Sequence, residues 1–385
     1  MQARKAEKVK VFVDAADFAE KPLKTAFLHP LVGLPDWSAF AEGPIKQHVF
    51  DNYTEEGKQY LALGGLDDCD YIAFPYNYQG VFSNEYIKER LGAYVEFERQ
   101  SGKPVLVFYP ADPEVNRLLA GIPFRNPIVY ASSIFKSTQP GYVHSLPTFI
   151  KDPLTDYGNR VAVRAKGPEP VVGFCGFATP LGIPWSKYRV QEEVRLLLYR
   201  LGLLRTLGID GFHAPRVLAL KKLLNSKLVR NNFILRSHSA FHSAKGILAK
   251  GADQKYLEGF KREYFDNIVG SDYVVCGRGN GNFSFRLYET LALGRIPIFI
   301  DTDAALPFPD RIDWRKYCVW IDESQLPAIG RIVSDFHRRL DNQQFEQLQR
   351  DCRRLWEDYL RPEGYFREVV RELAGQATPA YSQTQ

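Results

Sequence analysis

The sequence predicts an α/β protein of two domains, and three observations carry that prediction. Residues 271–303, SDYVVCGRGNGNFSFRLYETLALGRIPIFIDTD, read as strand, helix and strand in about thirty residues, the βαβ unit of a parallel sheet. Short apolar runs alternate with amphipathic stretches elsewhere, the pattern of strands joined by crossover helices. Finally, 385 residues, 45% of them hydrophobic and 14% aromatic, are enough to bury a large core, and a chain of that length is expected to divide into two domains.

Taken in order, residues 9–14 are the expected first strand, residues 71–75 and 105–109 are later ones, and residues 128–130 are a short fourth. Between them, residues 86–97 place Leu91 and Val95 at helical spacing. Residues 134–160 hold Phe135, Tyr142, His144, Pro147 and Phe149 without a period. They read either as a surface loop packing its aromatic side chains or as a segment that touches an acceptor. Residues 159–170 mix Arg164, Lys166, Gly167, Pro168, Glu169 and Pro170, the composition of a linker, and residues 171–174 restart the strand pattern.

The helix expected over residues 189–201 sets Val190, Val194, Leu197, Leu198 and Leu201 on one stripe, which should pack on a sheet. Residues 233–235 form a further strand ending at Arg236 and His238, two side chains that either touch a ligand or are merely solvated. A helix over 256–268 feeds the 271–303 unit. Beyond it, residues 326–340 and 345–359 carry apolar stripes, Pro362 and Gly364 interrupt the second before residues 365–373, and residues 375–385 read as a disordered tail.

Composition excludes several classes. Fifty Lys plus Arg against 45 Asp plus Glu leave a net charge of +5, too small and scattered to argue for nucleic acid. That balance suits phosphorylated ligands or an anionic membrane face equally well. Five cysteines without a CxxC pair argue for reduced thiols and against a disulfide framework or a zinc site. The opening MQARKAEKVK is charged and leads into a strand, so neither a signal peptide nor a membrane span is expected. A cytoplasmic protein is the expectation.

The chemistry concentrates in the turn after residue 276. Gly277, Gly279 and Gly281 let the backbone turn and present N–H groups to an anion, and Arg278 adds a fork of donors. Ser284 is placed to cap the following helix, with Asn282 as the rival, and the helix start offers a positive dipole end. On that helix Arg286 and Glu289 share one face, while Leu287 and Leu291 share the core-facing side. The turn is neither a dinucleotide fingerprint, since Asn282 stands where a third glycine is required, nor a P-loop, since no Lys-Ser/Thr follows. A tight turn carrying a solvated Arg286–Glu289 pair is the competing reading.

The run G-R-G-N-G-N-x-S-x-R-x-x-E, followed by L-G-R-I-P-I-F-I-D, L-P-F and Ile312-Asp313-Trp314, resembles the C-terminal signature of the exostosin family, glycosyltransferase family 47. Residues 70–76 (DYIAFPY) and 172–176 (VGFCG) are weaker echoes of it upstream. The resemblance implies a glycosyltransferase B architecture, two Rossmann-like domains facing a cleft. Residues 1–165 would form the acceptor side and residues 166–345 the nucleotide-sugar-binding domain, with helices over 346–374 crossing back. It implies an inverting transfer from a nucleotide sugar, a uridine diphosphate sugar in the family, to a glycan or glycolipid acceptor. The chain departs from the membrane-anchored members of the family and is similar to a soluble, bacterial-type relative, with peripheral association at a membrane face still open.

Residue by residue, the resemblance puts Arg278, Gly279, Asn280 and Gly281 on the diphosphate, with Asn282, Ser284 and Arg286 supporting the pocket. Arg236 joins the donor site, and Glu289 lies near the nucleoside. No metal cofactor is expected, the alternative being Mn2+ or Mg2+ on Asp301 and Asp303. The catalytic base is expected after the first strand, where Asp17 should lie farther out than Asp14; His29 and His48 are rivals. Two other functions remain open at this stage, a sugar-nucleotide epimerase on the same fold and a non-catalytic glycan- or nucleotide-binding module.

Overall fold

The computed structural model describes residues 8–18, 24–35, 48–112, 121–179, 181, 185, 187–203, 213–236 and 254–377. It divides into two units. The first comprises residues 1–151, 305–308 and 357–385, and the second residues 152–304 and 309–356.

The first unit is built on a parallel sheet of β1 (Val9–Phe12), β2 (Leu61–Leu63), β3 (Tyr71–Asn77), β4 (Val105–Tyr109), β5 (Pro127–Ala131) and β6 (Val143–Ser145), in the order β2-β1-β3-β4-β5-β6. β4 is buried throughout, as is β3 up to Tyr76, because a parallel sheet is covered on both faces. This is why their sequences run apolar without alternation. Short helices α1 (His29–Val32) and α2 (Asp51–Glu56) precede α3 (Glu85–Ser101), whose Asn84 cap accepts a bond from the Ile87 N–H at 3.2 Å. β2 and β6 were not anticipated. Each has three residues at a sheet edge, too few to show a period.

The second unit holds β7 (Val171–Phe177), α4 (Lys187–Arg200), α5 (Ala214–Leu224), β8 (Arg230–Arg236), α6 (Gln254–Val269), β9 (Tyr273–Cys276), α7 (Phe285–Ala292), β10 (Ile296–Asp301), β11 (Val319–Asp322), α8 (Ile329–Arg339) and α9 (Asn342–Leu355). Its sheet, also parallel, runs β11-β10-β9-β7-β8. The predicted βαβ unit is therefore present, with Ile296 in register with Tyr273 and Gly294 closing α7 at a φ of 62°.

Both sheets share one logic. The chain lays down a strand, adds the second on one side and returns to the other side for the third. That reversal makes a topological switch point, between β1 and β3 in the first unit and between β7 and β9 in the second. Ligands of doubly wound sheets bind outside the carboxyl ends of the strands at such points.

Three expectations are corrected. The stripe of α4 does not pack on a sheet: Val190, Val194, Leu197 and Leu201 are exposed, while Leu196 is the buried residue. The stretch 159–170 is not a free linker but a belt within the second unit. Arg164 pairs with Asp272 at 2.6 Å, Arg295 donates to the Ala162 carbonyl at 2.7 Å, and the His337 ring bonds the Gly167 carbonyl at 2.8 Å. At the C-terminus, α10 (Pro362–Ala377) continues through Gly375, so the expected tail is helical at its start; the expected interruption is present at Arg361, with Pro362 opening the new helix. The rest of the expected tail, and His238, lie outside the described residues.

Candidate functional site

The turn after β9 is shaped by close approach. A Cβ at Gly277 would lie 3.1 Å from the Arg216 Cβ, so glycine is what lets α5 and this turn meet. The Gly279 N–H donates to the Phe283 carbonyl at 3.1 Å and closes the turn; Gly281 is buried and Asn280 is exposed. Arg278 is nearly buried and folds over its own turn, one amino group donating to the Asn280 carbonyl at 3.1 Å. Asn282 faces inward. Its amide donates to the Thr302 carbonyl at 3.2 Å and accepts from the Thr302 hydroxyl at 2.7 Å, so it ties the turn to the loop after β10. Ser284 is the N-cap residue of α7 by backbone conformation, but its hydroxyl makes no capping bond.

Arg286 and Glu289 do not form a solvated pair. The Arg286 guanidinium reaches across to the β7 carbonyl of Cys175 at 2.7 Å and lies 4.2 Å above the Phe174 ring. Glu289 accepts a short hydrogen bond from the Tyr264 hydroxyl of α6. Burial pushes the Glu289 carboxyl up, against the opposing pull of Tyr264 and Arg286. Burial also presses on Arg286, yet Tyr264, Cys276 and Glu289 together hold its pKa above the usual value.

A third guanidinium completes the group. Arg216, on α5, donates to the Arg278 carbonyl at 3.2 Å and to His213 Nδ1 at 3.0 Å. Burial, reinforced by the positive charge of Arg286, lowers its pKa to about 9. His213 is driven down to about 3 by burial and by Arg216 and Arg278, so at neutral pH its ring is uncharged and accepts the bond from Arg216. Arg216, His213 and Tyr264 were not singled out from the sequence. A signal existed for the first, since Arg216 occupies the same helical stripe as Leu220 and Leu223, where a core residue is expected. Arg236, at the end of β8, lies apart from this group in its bonding: it pairs with Glu263 and stacks 3.8 Å from the Phe260 ring centroid.

These residues meet at the carboxyl ends of β7 and β9, the switch point of the sheet. Positive charge gathers there with one carboxylate, Glu289, against it.

The first unit carries its own cluster at its switch point, and it overturns the expected geometry of Asp17. That residue is 1% exposed. Its carboxylate accepts from Tyr76 at 2.6 Å, from Tyr94 at 3.0 Å and from Arg90 twice at 2.9 Å. A carboxylate so satisfied anchors its neighbours and offers no free edge to a substrate. Asp14 is the more accessible acid, with its side chain 25% exposed against 0% for Asp17. Burial raises the Asp14 pKa, but bonds from Arg90 and the Ala16 N–H outweigh it and hold the carboxyl low. Of the rival histidines, His29 is buried, which lowers its pKa to about 4, and His48 pairs with Asp51 at 2.6 Å on the surface.

Among the described residues, no three His, Cys, Asp or Glu side chains are grouped to hold a metal ion, and all five cysteines are buried and free. No helix among them is long and apolar enough to cross a membrane.

Comparison with known proteins agrees with the resemblance. Residues 222–336 match the family model of the Exostosin GT47 domain. The chain is 27% identical over 149 residues to a probable glucuronosyltransferase of Oryza sativa subsp. japonica, covering 34% of this chain and 33% of that protein. It is 30% identical over 107 residues to Exostosin-1 of Drosophila melanogaster, covering 28% and 14%, and 27% identical over 149 residues to a probable beta-1,4-xylosyltransferase of Arabidopsis thaliana, covering 34% and 35%. The match thus spans about a third or less of each relative. Among solved structures, a glycosyltransferase from Rickettsia africae ESF-5 aligns over 80% of this chain and 77% of its own at 10% identity, with a TM-score of 0.36, too low to add to the argument. The matched region contains Arg278, Arg286, Glu289 and the turn between them, so the similarity to the Exostosin GT47 domain falls on the residues gathered at the switch point.

Proposed function

We propose that the protein transfers a sugar from a nucleotide sugar to a glycan acceptor in polysaccharide biosynthesis, and that Arg216, Arg278 and Arg286 hold the donor's diphosphate. The observation that carries this reading is Arg216. A guanidinium buried beside two others is costly unless an anion completes the site, and a diphosphate brings charge of the right sign and spacing. The backbone of Asn280 and Gly281 and the positive end of α7 add donors on the same side, while the N–H of Gly279, expected from the sequence to join them, is taken by the Phe283 carbonyl. As the glycosidic bond breaks, negative charge grows on the leaving phosphate. Groups already fixed around that position stabilise it without reorganising.

Glu289, held by Tyr264, is the acid we assign to the ribose hydroxyls, and uridine diphosphate is the nucleotide we expect. Relatives named glucuronosyltransferase and xylosyltransferase support a glucuronyl or xylosyl donor. Asn282 and Ser284 then shape the turn, and Arg236 borders the site. In the first unit, Arg90 pairs with both Asp14 and Asp17, and Asp14, the more exposed of the two, is the acid we assign to the acceptor's proton. The guanidinium cluster supplies the positive charge that a divalent cation supplies in other transferases. Transfer should therefore survive a chelator; loss with chelator and return with manganese would shift the role to Asp301 and Asp303.

Titration calorimetry with uridine diphosphate tests the site. Arg278→Ala should weaken binding by roughly 1.5–3 kcal/mol, about one to two decades. Arg216→Met should weaken it similarly without lowering thermal stability, because it removes a buried cation while keeping the apolar stem. Unchanged affinity in both folded variants would overturn the assignment. Donor turnover with acceptor omitted and then supplied separates a transferase from an epimerase and from a binding module.

A further inference from the structure

One helix of the second unit turns an apolar ridge outward. On α4, Val190, Val194, Leu197 and Leu201 follow one another at i, i+4, i+7 and i+11, with exposures of 49%, 49%, 52% and 61%. Trp185, just ahead of the helix, is 75% exposed, and Leu203, just beyond it, is 43% exposed. The opposite side of the helix is already anchored, with Leu196 and Tyr199 packed against Ala214, Val217 and Leu218 of α5. The ridge is therefore not needed to hold the helix in place. Large apolar side chains collected on one exposed face mark a contact surface.

Charge indicates what the surface contacts. At 100° per residue, Lys187 falls on one side of the ridge and Arg200 on the other, while Arg189 lies beside the buried Leu196 on the anchored side. The helix's two acids are engaged elsewhere, Glu192 with Arg195 at 3.2 Å and Glu193 with Lys221 at 2.5 Å. The Arg189 guanidinium lies 4.6 Å over the Trp185 ring. An apolar ridge bordered by basic side chains and ending in a tryptophan is the composition that settles at the headgroup level of an anionic bilayer. A second copy meeting this ridge would set basic flank against basic flank, which opposes pairing.

We propose that α4 docks the protein on an anionic membrane surface, with Val190, Val194, Leu197 and Leu201 entering the interface and Lys187 and Arg200 reaching lipid phosphates. The long basic side chains would lay their stems along the ridge and extend their heads to the phosphates. This docking is independent of the donor site, and either can fail without the other.

Flotation of the full chain with lipid vesicles tests it. The protein should float with phosphatidylcholine vesicles containing about one third phosphatidylglycerol and remain largely in the bulk with phosphatidylcholine alone, at about a fivefold gain per basic side chain engaged. Added salt should reduce binding. Leu197→Asp with Leu201→Asp should cut partition by about tenfold or more while thermal melting stays unchanged, because both positions already face water. Lys187→Glu with Arg200→Glu should abolish the preference for anionic lipid. Wild-type protein that stays in the bulk with anionic vesicles would overturn the proposal, as would an Asp variant that floats as well as wild type. So would a concentration-dependent dimer, lost in the Asp variant, in a protein that ignores vesicles.

Discussion

At the scale of single residues, burial decided roles that residue type left open. Asp17 and Asp14 stand three positions apart after the same strand, and the sequence gives no reason for the nearer one to be the more exposed. The reason is tertiary: Tyr76, Tyr94 and Arg90 come from β3 and α3 and close around Asp17. Removing one partner of a buried ion pair costs about 3–5 kcal/mol, because the other charge stays buried. Asp17→Asn should therefore lower the unfolding free energy from urea denaturation by an amount in that range and leave the proposed donor site of the second unit able to bind. A variant as stable as wild type but slow in turnover would instead restore Asp17 as the base. The proposed donor site shows the same limit of legibility. Arg278, Arg286 and Glu289 were visible within one short stretch, whereas Arg216 stands 62 positions from the carbonyl it bonds, on a helix that reads as plain core.

At the scale of elements, the βαβ unit was legible almost to its ends, since each part carries its own local signal. β9 is an apolar run, α7 has an N-cap and a two-sided face, and Gly294 supplies the left-handed residue that ends it. What was not legible is that the belt of residues 159–170 crosses this same helix end. A Cβ at Gly294 would meet the Val161 Cγ1 at 2.5 Å and the Gln349 carbonyl oxygen at 3.1 Å. Gly294→Ala should thus cost more than the roughly 1 kcal/mol of a left-handed alanine, and about 2–3 kcal/mol in chemical denaturation is expected. A loss below about 0.5 kcal/mol would show that the belt yields freely. The stripe of α4 taught the opposite lesson. Helical spacing correctly predicted a helix, but a stripe reports only which residues share a face and not what lies opposite that face.

At the scale of the whole molecule, chain order and spatial order part company. The last helix, α10, puts Tyr365, Phe366, Val369, Val370 and Leu373 into the same core cluster as Val9, Val11, Leu106 and Phe108 of the first unit. The Tyr365 hydroxyl donates to the Ser145 carbonyl, and the Tyr71 hydroxyl donates to the Leu373 carbonyl, each at 2.8 Å. Large buried side chains are worth roughly 1.5–3 kcal/mol each, so five of them rival the whole stability of a domain. A chain ending at Trp356 should leave the first unit unfolded, and hydrogen exchange should show the amides of β4 losing protection while those of β9 and β10 keep theirs. Equal protection of β4 in the shortened and full chains would refute this. The sequence by itself determined the α/β class, the central strands and the turn after β9, because apolar runs, capping residues and glycines act over a few neighbours. Only the tertiary structure decided the edge strands β2 and β6, the outward ridge of α4, the burial of Asp17 and the arrival of Arg216 beside Arg286. Each of those depends on which distant segment comes to lie opposite, and so on packing between residues whose separation along the chain leaves no local trace.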